Sequence, residues 1–304
     1  MTHFFETLFY RPQWYHWVVS MLLSPISLLY GLGMWVRRKL ARRKHYAVPI
    51  LSVGNLVIGG SGKTPFVIAL AEYFSDRKVV IISRGYGRQS SGLVEVSCES
   101  EVLVAVEQSG DEAMLIAIRS PHASVIVSEH RGIAIEKAIE KGAELILLDD
   151  GFNRVEIEKC EIVLEPELLP NRLVLPAGPM REFCWSRAEA DLIYRENIDF
   201  CRGVRYQNLK DKMLLVTAIS NPSRLDRYLP EGVVAKVTLE DHAYFEETKL
   251  RALLKQHQAE SLLVTEKDWV KMRAFDLPLS LMTLELHLND GIISEIEAYI
   301  KEKQ

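Results

Sequence analysis

Short, unbroken apolar runs alternate with longer stretches of mixed polarity from residue 48 onward. The runs predict strands over Val48–Val53, Lys78–Ser83, Ser124–Ser128 and Glu144–Asp149. Between them, apolar positions recur at helical spacing and predict helices over Thr64–Phe74, Asp111–Arg119 and Gly132–Lys141. A run such as Leu145-Ile146-Leu147-Leu148 suits a strand covered on both faces. The alternation therefore predicts an α/β fold, a mostly parallel sheet with helices on both faces. In such sheets ligands collect at the carboxyl ends of the strands. Residues 152–205 are less regular, with Pro166, Pro170, Pro176 and Pro179. A second series then begins, with strands over Met213–Thr217, Val233–Val237, Leu262–Thr265 and Leu281–Leu286. Its helices fall near Asn221–Tyr228, Glu246–His257 and Gly291–Lys301. This series predicts a smaller α/β C-terminal domain. The chain divides into residues 1–44, 45–212 and 213–304.

The segment before the first strand follows another pattern. Trp14–Val36 holds 23 residues without Asp, Glu, Lys or Arg. As a helix it would extend roughly 35 Å at ~1.5 Å per residue, enough to cross a bilayer. Trp14, Tyr15, Trp17 and Trp35 lie near its ends, where such rings favour the headgroup zone. Pro25, Ser20, Ser24, Ser27 and Gly31 interrupt the stretch, so a broken helix or hairpin lying in one leaflet is an equal alternative. A buried N-terminal helix is a third, though it leaves the aromatic ends unexplained. Six positive charges follow within Arg37–Lys44 and would meet anionic lipid on the cytoplasmic side.

Net charge is −4, so residues 45–304 carry about −10, the difference between −4 and the +6 of that block. The basic block is local, which argues against a nucleic-acid partner. Cys98, Cys160, Cys184 and Cys201 form no C-x-x-C pair and read as buried thiols of a reducing compartment.

The strand Val48–Val53 runs into Gly54, Gly59, Gly60 and then Gly62-Lys63-Thr64. Glycines in such a loop turn backbone N–H groups onto an anion, and the lysine reaches the terminal phosphates. The hydroxyl that follows can hold Mg²⁺. The strict pattern asks for glycine at position 57, where this chain has Val57. Asp149-Asp150 closes a later strand, the usual place for a second Mg²⁺ support. Gly110-Asp111-Glu112 opens a helix, so Asp111 is either a capping residue or a carboxylate able to accept a proton from an attacking hydroxyl. Arg84 and Arg131 follow strand ends and either neutralise phosphate charge or decorate the surface. Asp241-His242 is an acid–imidazole neighbour pair whose meaning the dipeptide alone leaves open.

Together these residues resemble the tetraacyldisaccharide 4′-kinase family, the lipid A 4′-kinases of Gram-negative bacteria. The family loop G-N-x-x-x-G-G-x-G-K-T-P is matched by Gly54–Pro65, non-glycine at 57 included. The likeness continues through Ser83-Arg84-Gly85-Tyr86-Gly87, Gly110-Asp111-Glu112 and Asp149-Asp150-Gly151-Phe152. Leu175–Glu182, Asp241-His242 and Thr265-Glu266-Lys267-Asp268 complete it. Departures are Asn153-Arg154, where the family has Gln-His, and Ala113, where it has proline.

The resemblance implies a P-loop kinase that uses ATP and Mg²⁺ to phosphorylate the 4′-hydroxyl of an acylated glucosamine disaccharide 1-phosphate. It implies nucleotide contacts from Gly59, Gly60, Ser61, Gly62, Lys63, Thr64 and Pro65, and metal support from Thr64, Asp149 and Asp150. Asp111, His242, Lys63 and Arg131 are its catalytic candidates; Asn55, Arg84, Tyr86, Arg181 and Glu182 are its substrate contacts. It implies two domains closing over the substrate. It also implies a place on the cytoplasmic face of the inner membrane, with no obligate protein partner. Two other classes stay in view: a membrane-recruited ATPase switch, and a GTPase, since Thr265–Asp268 echoes N-K-x-D with altered spacing.

Overall fold

The unbroken apolar runs become strands buried along their length, as strands covered on both faces must be. A computed structural model describes residues 2–59, 62–220 and 222–302, except for the side chains of Thr2, His3 and Asp290. Among the described residues the strands, in chain order, are β1 (Ile50–Gly54), β2 (Val79–Ser83), β3 (Val94–Cys98), β4 (Glu101–Val102) and β5 (Ser124–Val127). Then come β6 (Leu145–Asp149), β7 (Cys160–Glu165), β8 (Leu192–Arg195) and β9 (Phe200–Gln207). The last are β10 (Met213–Thr217), β11 (Val233–Thr238), β12 (Ser261–Thr265) and β13 (Leu279–Leu288).

The chain falls into two units. The first comprises Met1–Lys63, Glu144–Cys201 and Leu288–Gln304. Here β6, β1, β7 and β8 lie side by side, all parallel. The second unit comprises Thr64–Ala143 and Arg202–His287. It holds the parallel pair β2–β5, extended antiparallel by β3 and β4, and a separate sheet in the order β11-β10-β12-β13-β9. The pairs β10–β11, β10–β12 and β12–β13 are parallel. The mostly parallel α/β class read from the sequence is thus the fold observed.

Boundaries shift by one or two residues at most strands and helices. Larger differences fall where charge interrupts an apolar run. Residues 152–205 hold β7, β8 and the start of β9. Glu161 hides β7 from a hydrophobicity pattern, yet it is buried beside Lys159 at 2.6 Å. Glu95 does the same in β3, where Lys141 pairs with it. The helix expected from Asn221 is a 3₁₀ segment, Pro222–Tyr228; Asn221 itself lies outside the described residues. Of the four cysteines only Cys160 is buried, so Cys98, Cys184 and Cys201 correct the expectation of buried thiols. Cys98 is the last residue of β3, where the strand turns into β4.

The N-terminus forms two helices, α1 (Thr2–Tyr10) and α2 (Trp14–Leu40). Pro25 lies inside α2 and does not end it. Proline lacks the N–H that would bond the carbonyl four residues back. That carbonyl belongs to Met21, and the Ser24 hydroxyl donates to it at 2.7 Å. The face of α2 turned inward is polar or small: His16, Ser20, Ser27, Gly31 and Arg38. The Ser20 hydroxyl donates to the Ala177 carbonyl at 2.7 Å, and the Ala177 N–H donates to Ser27 Oγ at 2.9 Å. At Gly31 the Phe183 ring lies where any Cβ would stand. The opposite face carries Met21, Leu22, Leu29 and Trp35 in the open, with Leu22 75% and Leu29 71% exposed. A helix that buries its polar face and displays its apolar one inverts the usual pattern of a soluble helix.

Candidate active site

In the first unit the glycine-rich loop leaves the end of β1. Its first half is braced like a strand. The Arg181 N–H donates to the Leu56 carbonyl at 2.7 Å, and the Ile58 N–H donates to the Pro179 carbonyl at 2.9 Å. Val57 forms a bridge with Met180 and packs with Leu56, Phe152, Val163 and Val174. This explains the valine where a strict P-loop has glycine: position 57 is extended core, and the turn comes later. Gly59 and Gly62 take it with φ of +92° and +79°, which side-chain-bearing residues rarely adopt. Gly60 and Ser61 lie outside the described residues.

Helix α3 (Lys63–Tyr73) begins at the lysine, with Thr64 and Pro65 in its first turn. Lys63 Nζ donates to Asn55 Oδ1 at 3.1 Å and lies 3.5 Å from Asp150 Oδ1. Asn55 is fully buried. Arg181 Nη1 donates to both Asp150 oxygens, at 2.9 and 3.1 Å. Asp150 has φ +53°, the left-handed region, and so turns back from the strand end where Asp149 is buried. Burial works to raise the Asp150 pKa, but the charges of Lys63 and Arg181 outweigh it and hold the group below the carboxylate range. Asn55, Lys63, Asp150 and Arg181 thus form one constellation. Glu182, beside it in sequence, faces elsewhere. It is buried and accepts from Arg38 Nε and Nη2 at 2.8 and 2.9 Å. Arg38 also donates to the Phe152 carbonyl at 3.2 Å and stacks 4.3 Å from the Phe152 ring centroid. One residue of the basic block is therefore committed inward, tying α2 to the Asp149–Phe152 turn.

The second unit gathers the acid–base candidates. Helix Asp111–Arg119 starts after Gly110, whose φ is +83° and whose missing Cβ makes room for the Tyr86 carbonyl. Asp111 is the first helical residue, and its Oδ1 accepts from the Glu112 N–H at 2.9 Å. It does more than cap. His242 Nδ1 lies 3.0 Å from each Asp111 oxygen, and Lys267 and Lys271 place their Nζ atoms 3.9 and 3.6 Å from Oδ2. Burial works to raise the Asp111 pKa; the His242 hydrogen bond and the charges of Lys267, His242 and Lys271 overcome it, leaving the group below its ordinary range. An ionised Asp111 only accepts, so His242 carries its proton on Nδ1. Tyr86 is exposed, with its ring 5.0 Å from that of His242. Arg84 is exposed at the end of β2. Arg131 is buried, and its guanidinium donates back to the Ser128 carbonyl.

Asp268 is buried and accepts from the Ala218 N–H, Thr217 and Thr265 at 2.7–3.0 Å. A carboxylate so engaged is not placed to read guanine. Lys267, Asp268 and Lys271 are the members of this cluster that sequence reasoning left without a role. Position 271 carried no signal, because it lies outside every quoted motif.

The donor set suits a nucleotide with a hard cation. Among the described residues no three His, Cys, Asp or Glu side chains gather as a metal cage. Mg²⁺ takes one or two carboxylates and fills its shell with phosphate and water. In the first unit Asp149 and Asp150 carry carboxylates and Lys63 an ammonium group; Thr64, which follows in the chain, carries a hydroxyl.

The model of the tetraacyldisaccharide-1-P 4′-kinase (LpxK) family matches residues 19–203 and 196–301. A tetraacyldisaccharide 4′-kinase of Helicobacter pylori (strain HPAG1) is 42% identical, over 98% of this chain and 95% of the relative. That of Campylobacter jejuni (serotype O:2) is 38% identical, over 98% and 96%. The crystal structure of the "apo" form of LpxK from Aquifex aeolicus in complex with ATP superposes with a TM-score of 0.79 at 26% identity. It covers 92% of this chain and 98% of that one.

Because Asp111 is held below its ordinary pKa, its charge adds stability that is full above about pH 4 and is lost as pH falls through the native value. Denaturant unfolding measured from pH 6 to pH 3 should therefore show a shallower acid loss in Asp111→Asn than in the wild type. Parallel curves would contradict the ionised, cation-held Asp111.

Proposed function

The chain belongs to the tetraacyldisaccharide-1-P 4′-kinase family, and from that premise we propose that it moves the γ-phosphoryl group of ATP to the 4′-hydroxyl of a tetraacyl glucosamine disaccharide 1-phosphate. The observation that carries this reading is the Asn55–Lys63–Asp150–Arg181 constellation at the end of β1 and β6. Lys63 rests on Asn55 and Asp150 and is poised to leave them for phosphate oxygens. Charge develops on the transferred group and its leaving oxygen, and a fixed cation stabilises it. Mg²⁺, when bound, neutralises the nucleotide phosphates. Thr64, Asp149 and Asp150 are the residues assigned to hold it.

Asp111 is assigned to the acceptor hydroxyl. With its pKa held low it orients the hydroxyl through a strong hydrogen bond and takes the proton late, as a loose transition state permits. His242 orients Asp111 through the Nδ1 proton. Tyr86 lies beside His242 on the loop after β2, and it and Arg84 on the same loop are assigned to the disaccharide. Residues 1–44, 45–212 and 213–304 are read as the membrane segment, the nucleotide core and the module that carries His242.

The acyl chains of such a substrate stay in a bilayer, which gives α2 its purpose. Its inward face is engaged from His16 to Arg38, roughly 33 Å at ~1.5 Å per residue. A helix held along that length lies in one leaflet with its apolar face down, since a span would draw the attached protein into hydrocarbon. The cytoplasmic face of the inner membrane is the side where ATP is available. Neither nucleic acid nor an obligate protein partner is needed.

Transfer of labelled γ-phosphate from ATP to a purified tetraacyldisaccharide 1-phosphate tests the activity. Lys63→Ala should keep the fold and lose roughly 10²-fold or more in kcat, the scale of one transition-state charge contact. Wild-type turnover in the folded variant would remove the P-loop assignment. Replacing Leu22 and Leu29 together by Glu should release the folded protein from liposomes while ATP binding persists. Unchanged sedimentation with liposomes would place the anchor elsewhere.

A further inference from the structure

Lys271 is nearly inaccessible, and so is Asp268; neither is part of the nucleotide constellation. Lys271 Nζ lies 3.5 Å from Asp268 Oδ1 and 3.6 Å from Asp111 Oδ2, and it donates to the Ala243 carbonyl at 2.9 Å. Asp268 in turn accepts from the Ala218 N–H at 3.0 Å and from Thr217 Oγ1 at 2.7 Å, fixing the end of β10. The Ala218 carbonyl then accepts from the His242 N–H at 3.0 Å. His242 is thus held on both sides, through its own N–H by the Asp268-braced turn and through the next carbonyl by Lys271. It also stands at φ +61°, a backbone state a histidine keeps only when its surroundings enforce it. The same ammonium group faces the Asp111 carboxylate.

From this we infer that Lys271, anchored by Asp268, is a positioning residue for phosphoryl transfer: one buried cation sets both the Asp111 carboxylate and the loop that presents His242 to it. The inference rests on the reading of Asp111 and His242 as the working pair. A buried lysine in an ordinary core would need one carboxylate partner. This one bridges two carboxylates and a carbonyl, and all three lead to the pair. Lys267, the other cation near Asp111, is more accessible and bonds Glu112 at 3.1 Å; it feels the charge of Asp241, whereas Lys271 bonds the backbone of the His242 loop at Ala243.

The test is a kinetic cycle on the full chain, with ATP and tetraacyldisaccharide 1-phosphate as substrates. Lys271→Met should lower kcat roughly tenfold or more and leave the KM for ATP within about threefold, because the loss lies in the reacting geometry. In an Asp111→Asn background the same substitution should cost less than about twofold, since residues that act as a unit are not additive. Should Lys271→Met fail to fold, Asp268→Asn, which keeps the side-chain volume, reads the same link with the same kcat-specific loss. Wild-type kcat in either folded variant would overturn the inference. So would a full multiplicative loss in the Asp111→Asn background. Wild-type turnover in Asp111→Asn alone would instead remove the pair on which the inference rests, so the two failures are told apart.

Discussion

A carboxylate withdrawn from water must be matched by cations and donors, or it does not stay ionised. Both parts of the candidate site are built on that constraint. In the first unit Asp150 is only partly withdrawn, and Lys63 and Arg181 face it and hold its pKa below the carboxylate range. In the second, Asp111 stays charged because His242, Lys267 and Lys271 face it. Under the proposed function, each pairing would place a cation where phosphate or a reacting hydroxyl needs one. The side chains that satisfy these carboxylates in the folded state are those that the proposed function assigns to the charged transition state.

The constraint reaches the N-terminal helix as well. Arg38 and Glu182 form a nearly inaccessible pair at 2.8 Å, and Arg38 also caps the Phe152 carbonyl. Replacing one partner alone would strand the other charge, a loss of about 3–5 kcal/mol for buried pairs. The turn that carries Asp149 and Asp150 is therefore mechanically tied to the helix whose outer face is apolar. Two of the outlying basic residues, Lys39 and Arg43, pair with Glu189 at 3.0 and 3.3 Å on the protein side. The basic block serves docking of the helix onto its own unit in addition to any attraction to lipid.

Much of this was legible in the residues. Strands β2 and β6 each open on four consecutive Val, Ile or Leu residues, and their burial on both faces follows from that. The motif residues Asn55, Lys63, Asp150 and Arg181 do meet, as do Tyr86, Asp111 and His242. What escaped sequence reading depended on partners that only the folded chain identifies. Glu161 and Glu95 hid strands because the lysines that neutralise them lie two and forty-six positions away. Val57 departs from the strict phosphate loop and matches the family's; the physical reason, its partner Met180, is supplied by a later segment. Lys271 gave no sign at all, because its meaning comes only from Asp111, Asp268 and Ala243 converging on it. Pro25 promised a break in α2 that one serine hydroxyl makes unnecessary.

The central claim is that Asp111 and His242, 131 positions apart, act as one unit. A double-mutant cycle on phosphoryl transfer tests it most directly. Asp111→Ala and His242→Ala should each slow kcat strongly, and the double variant should lose little beyond the worse single one. Rate losses that multiply in full, or normal turnover in either folded single variant, would contradict the account.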